Sequence, residues 1–262
     1  MMARPRVGVA ARHYLSDLQP YTALCSAVLA VVGVASVASA PVLLERDGAA
    51  TAASELPAPA SRLLGLSVGQ SLDTGIGHLN ATFLSLALPL VLIALGIVGA
   101  SRALAGAAGS GELELLVSNP VTRSQLLVER LLAVSAAQVQ AAAPAVLLVA
   151  VGSQLGQIDV GALTVLGAGI KAMVLATFIS SIAMIASAAS SGVLMPAAVG
   201  ALATAASFGA VAFDFGSLSP VGLALGEAPA AGGAWLGTLI ALVAVGVIAA
   251  LATVVFDRRD IC

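Results

Sequence analysis

Charge is what this sequence has least of. Of 262 residues only 9% are Asp, Glu, Lys or Arg, the formal net charge is −2, and Lys171 is the single lysine. Cationic residues so few and so scattered build no phosphate-binding face, which excludes nucleic acid as a partner. Lys171 stands in Gly167-Ala-Gly-Ile-Lys171-Ala, without the Gly-Lys-Ser/Thr ending that a phosphate loop requires, so this chain hydrolyses no nucleotide by itself. His78 has no carboxylate or second imidazole at helical spacing and His13 has only Asp17, too few groups for an enzyme with paired catalytic groups in or near the spans or for a metal centre. Cys25, in an apolar run, and Cys262 are expected at opposite ends of a path and so to form no disulfide or metal pair.

Apolar residues are what is abundant. Sixty per cent of the chain is hydrophobic and the mean hydropathy is +1.07, far outside the soluble range, so the sequence reads as an all-α integral membrane protein. The apolar runs predict six transmembrane helices at about 21–44, 81–104, 127–151, 162–189, 193–213 and 233–256, one membrane-spanning domain over residues 1–262. Ala, Gly and Ser crowd every span, which suits close helix packing. Ahead of them, Arg4, Arg6, Arg12, His13 and Asp17 interleave with Val7, Val9, Tyr14 and Leu18; this predicts an N-terminal amphipathic helix on the membrane surface, stopped by Pro20. Ala38-Ser-Ala40 imitates a signal cleavage site, but the first apolar run is too long and Pro41 follows it, which favours an uncleaved first span. Asn80-Ala-Thr82 has the form of a glycosylation acceptor but abuts the second span. Pro89 is expected to kink that span.

Arginine gives the orientation. Arg4, Arg6, Arg12, Arg102, Arg123, Arg130, Arg258 and Arg259 fall on one side of the spans and only Arg46 and Arg62 on the other. Positive residues mark the cytoplasmic face, so the expectation is a multi-pass protein of the cell membrane with both termini in the cytoplasm.

One connection on that face is unlike the others. From Gly109 to Arg130 it gathers Glu112, Glu114, Arg123, Glu129 and Arg130 between two uncharged runs. Leu113, Leu116 and Val117 recur as one face of a short helix, with Glu112 in its first turn where a carboxylate suits the helix dipole. Asn119-Pro120 ends it. Thr122 and Gln125 then have capping-box spacing, and Val121 and Leu126 that of a hydrophobic staple, so a second helix starts at once and runs into the third span.

The run Gly111-Glu-Leu-Glu-Leu-Leu-Val-Ser-Asn-Pro-Val-Thr-Arg-Ser-Gln-Leu-Leu-Val-Glu-Arg130 resembles the cytoplasmic signature of ABC transporter permeases of the type-2 exporter family, a group that includes a branch linked to copper-enzyme maturation. Leu113, Leu115, Leu116, Ser118, Pro120, Val121, Arg123, Leu126, Leu127 and Arg130 carry the match, while Glu112 stands where the family often has Thr. Val255-Phe-Asp-Arg-Arg-Asp260 is similar to the family's tail, and Ser219-Pro220 to its Ser/Asn-Pro before the last span. The resemblance implies a six-span permease, paired with itself or a similar permease in a homodimer or heterodimer. It also implies a separate ABC ATP-binding subunit, which would hold the ATP and Mg while this chain holds no cofactor. That subunit would dock on a short cytoplasmic coupling helix, through Glu112, Leu113, Leu116, Val117, Pro120 and Arg123, with Arg123 meeting an acidic rim. Met173, Met184 and Met195 are each eleven residues apart, but the Ser190-Ser-Gly192 break interrupts that face and favours core packing over a metal path.

Two other classes stay open. A secondary carrier would show internal repeats and several mid-depth charges; a non-transporting membrane anchor would need no capped helix pair between its second and third spans. Lys171, the only charge deep in a span, is a candidate pathway residue. Its alternative is to snorkel outward to Asp159 or Asp214.

Overall fold

The computed structural model describes residues 9–44, 56–66, 72–109, 111, 122–156, 158–226, 228–231 and 235–258. Among these the only regular structure is helical, and six helices are long and apolar enough to cross a membrane.

The first, α1 (Val9–Leu44), has 36 residues, about 54 Å at helical rise against a hydrocarbon layer of roughly 30 Å. From Val9 on, the amphipathic segment is therefore not a separate element: it runs through Pro20 without a break and forms the first turns of α1, while Arg4, Arg6 and Val7 lie outside the described residues. Tyr14 and Leu18 are buried, while Arg12, His13, Ser16 and Asp17 face out. Pro20 removes the hydrogen bond to the Ser16 carbonyl, a cost of about 3 kcal/mol. Burial of Tyr14 and Leu18 contributes about 1.5–3 kcal/mol each and offsets it.

After the short α2 (Ala58–Leu63), the second span, Gly75–Gly109, is segmented. It comprises α3 (Gly75–Leu79), a π-helical turn Asn80–Leu84, α4 (Ala87–Ser101), a second π-helical turn Arg102–Gly106 and a last turn Ala107–Gly109. Its irregularity sits at Ser85 and Leu86, the latter at φ −120° and ψ −56°, rather than at Pro89 itself. The physical reason is that the N–H missing from Pro89 would have bonded the Ser85 carbonyl, so the helix loosens one turn earlier.

The remaining spans are α5 (Arg123–Leu155), α6 (Ala162–Ala189), α7 (Leu194–Ala212) and α9 (Trp235–Asp257), with the short α8 (Pro220–Leu225) before the last. Helix α6 is the hub, packed against α4, α5, α7, α8 and α9, and α1 lies along α5. Small residues set these spacings: a side chain on Gly169 would begin 2.9 Å from Val146, and one on Gly33 2.8 Å from Val149. At the centre Gln138 is wholly buried. Its amide nitrogen donates to the Leu92 carbonyl at 3.1 Å and to Ser180 Oγ at 2.9 Å, and its oxygen accepts from Thr177 at 3.1 Å. One side chain thereby joins α4, α5 and α6 with its polar groups satisfied, as a water-poor interior demands.

At the end opposite the Gly109–Arg123 connection, the segment around Pro220 folds back onto the bundle. Ser219 caps α8 through the Val221 and Gly222 amides, Pro220 takes the first helical position, and Val221, Ala224 and Leu225 are buried. Asn80 is wholly buried and accepts the Ala230 amide at 3.1 Å, which leaves its side chain no room for a glycan. His78 Nε2 is hydrogen-bonded to the Ser36 carbonyl at 2.9 Å and lies 3.2 Å from Ser39 Oγ. Met184 is buried within α6 and Met195 is exposed on α7, so the three methionines share no face.

Candidate functional site: the flanks of the charged connection and a buried lysine

Glu112, Leu113, Leu116, Val117 and Pro120 lie outside the described residues, as does Val121 of the expected staple. The flanks of the connection are described, and they show what a displacement there would pull on.

Thr122 is extended (φ −71°, ψ 148°) and its hydroxyl accepts the Gln125 amide at 3.2 Å, so α5 is capped as its sequence predicts. The reciprocal half of a capping box is not made. The Gln125 side chain turns instead to Glu129, 3.0 Å away, because Glu129 is nearly buried and needs donors. The other oxygen of Glu129 accepts the Ala11 amide at 3.2 Å, so a carboxylate from the second turn of α5 meets the positively polarised start of α1.

Arg130, 2% exposed, lays its guanidinium over the Tyr14 ring, 4.1 Å from the centroid. The Tyr14 hydroxyl then donates to the Gly99 carbonyl at 2.5 Å. Tyr14 thus joins α1, α4 and α5.

Arg123 reaches in the other direction. It is half-buried, donates to the Phe256 and Asp257 carbonyls at 3.2 and 3.4 Å, and lies 5.8 Å from the Phe256 ring centroid. A cation at the start of its own helix is unfavourable, whereas the same charge at the negative end of α9 is favourable by about 0.3–1 kcal/mol. The last carbonyls of another span are therefore among its partners.

On the other side of the connection, the π-helical turn Arg102–Gly106 is completed from α6: the Ala105 amide donates to Ser187 Oγ at 3.0 Å, and both residues are fully buried. Arg102 lies over Tyr21, 5.1 Å from the ring centroid, and donates to its hydroxyl. Both ends of the connection are in this way fastened to other spans.

Lys171 is 1% exposed. It is not paired with Asp159 or Asp214; Asp214 faces Arg62 at 3.5 Å, and the ammonium lies 5.4 Å from the ring centroid of Trp235. A desolvated cation over an indole face gains about 2 kcal/mol.

The contact partners Tyr14, Phe256, Ser187 and Trp235 were not singled out as site residues from sequence. Trp235, the single tryptophan, had a usable signal, since an aromatic opening a span is an interfacial anchor. The others are ordinary residues whose partners lie far away in the chain. An apolar groove of about 400 Å³ also opens between α4 and α7, lined by Leu86, Leu90, Ile97, Ala201 and Phe208.

No protein-family model matches the chain, and no curated protein matches its sequence.

Proposed function

We propose that this chain is the membrane-spanning subunit of an ABC transporter, an exporter of the cell membrane with its termini and the Gly109–Arg123 connection in the cytoplasm. In this reading a second permease, identical or similar, pairs with it, and a separate ATPase subunit binds ATP and Mg and docks on Leu113, Leu116 and Val117. The observation that supports the reading best is Arg123. It begins the helix that leaves the connection, and its guanidinium holds the last carbonyls of α9 at 3.2 and 3.4 Å. A push on the connection would move α5 and, through Arg123 and Glu129, the ends of α9 and α1 with it. The likeness of Gly111–Arg130 to the coupling signature of type-2 exporters supplies the motor that would do the pushing. Export, rather than uptake, rests on that likeness alone.

The test is capture of a partner ATPase on the tagged full chain in mild detergent. An apolar anchor supplies most of the affinity of such a contact. Wild-type protein is therefore expected to retain a protein carrying Gly-x-x-x-x-Gly-Lys-Ser/Thr, and Leu116→Asp to lose it. Unchanged capture and transport in Leu116→Asp would reduce the connection to a simple joint between spans and overturn the reading.

A further inference from the structure

Lys171 lies one turn beyond Gly167 on α6, and the indole of Trp235 covers both. Gly167 makes the room, because a Cβ there would stand 3.3 Å from Trp235 Cζ2. The lysine is 1% exposed and the tryptophan 49%, so the ring is a lid whose outer face is open. An ammonium has three N–H donors. Among the described residues the partner of this ammonium is the ring face, with no carboxylate or carbonyl acceptor. A ring face returns less than burial of an ammonium costs, and an anion beside the amine would close the gap.

The position selects the kind of anion. Lys171 is nine residues past the start of α6, about 14 Å at helical rise. Side chains on a helix lean toward its N-terminus, which brings the amine up toward the interface. Ile170, next to it on α6, and Leu236 and Leu239, in the first turns of α9 with Trp235, are exposed and apolar, and in a bilayer such residues are covered by acyl chains. We infer that Lys171 and Trp235 form a binding site for the phosphate of an anionic phospholipid, which reaches the amine when the indole turns aside, with the lipid chains lying over Ile170, Leu236 and Leu239.

The site is independent of the ATPase reading, because it is tested on the isolated full chain. Trp235 is the single tryptophan, so indole emission comes from this site alone, and Lys171→Met separates the part that depends on the amine. The chain is placed in nanodiscs of phosphatidylcholine with increasing phosphatidylglycerol. The expected result is a saturable change in emission for wild type and Lys171→Arg. In Lys171→Met, whose helicity is checked by circular dichroism, the apparent affinity is expected to fall roughly tenfold or more with the loss of a charge-assisted contact. The same response to inorganic phosphate in pure phosphatidylcholine would assign the anion to solution and overturn the lipid assignment. No wild-type response, or an equal one in Lys171→Met, would overturn the site. Glu227 lies outside the described residues; a response confined to Glu227→Gln would show that the counter-charge belongs to the chain, and that too would overturn it.

Discussion

Gly96 leaves the space that Gln138 occupies. A Cβ at residue 96 would overlap the Gln138 amide nitrogen and Ser180 Oγ and would lie 3.1 Å from Ser180 Cβ. The hydrogen bonds that unite α4, α5 and α6 therefore depend on an absent side chain. Gly96→Ala is expected to destabilise the fold by about 1–3 kcal/mol, the usual cost of overpacking. Gly246 has nothing within 4 Å of its virtual Cβ, so Gly246→Ala should stabilise α9 by about 0.5–1 kcal/mol through helix propensity. Unfolding midpoints in mixed micelles check both signs. Equal effects at the two positions would show that the Gln138 network does not restrict the core.

Orientation is tested by labelling. Ala58 is exposed at the start of α2, on the side opposite the arginine-rich face. In a cysteine-free background, Ala58→Cys should react with an impermeant maleimide on intact cells, and Ser110→Cys only after permeabilisation. The reverse pattern would invert the topology and remove the connection from the reach of a cytoplasmic ATPase.

The six apolar helices were legible because span length and hydropathy are properties of local sequence. What was not legible arises from distant partners. The helix start at Thr122 and its run into the third span were legible, and α5 begins at Arg123; the burial of Glu129 and Arg130 against α1 was not. Pro20 looked like a stop, since its cost is local and the packing of Tyr14 and Leu18 is not. Ser219-Pro220 reads in sequence only as a Ser-Pro break before the last span, and nothing in its spacing says that a helix starts there and is buried. The π-helical turns had no periodic signature at all. Of the candidate coupling residues, Arg123 is the one whose surroundings are described, and its contacts with Phe256 and Asp257 span more than half the chain.

Ser187 offers a test of the second π-helical turn. It accepts the Ala105 amide just ahead of the connection, so Ser187→Ala removes a buried hydrogen bond worth about 0.5–1.5 kcal/mol. The Ala105 amide should then exchange its proton faster than the amides of Leu92 and Ile93 in the middle of α4. Hydrogen exchange read by mass spectrometry reports this directly. Unchanged exchange at Ala105 would mean that the turn is held by its own backbone.

Arg123 separates docking from transmission. Its guanidinium is bonded to the α9 carbonyls and lies over Phe256, so in this reading it serves α9 more than an acidic rim on the ATPase. Arg123→Ala is expected to leave ATPase capture within about twofold of wild type, since an exposed charge pair is worth only about 0.2–1 kcal/mol. Transport should fall much further, while basal ATP hydrolysis continues. Arg123→Lys keeps the charge but loses the planar contact with Phe256 and the forked donors, and should be intermediate. The measurement is transport per ATP hydrolysed by the reconstituted complex. A loss of capture equal to that of Leu116→Asp would place Arg123 in the docking surface; normal coupling in Arg123→Ala would mean that the contact with α9 transmits nothing.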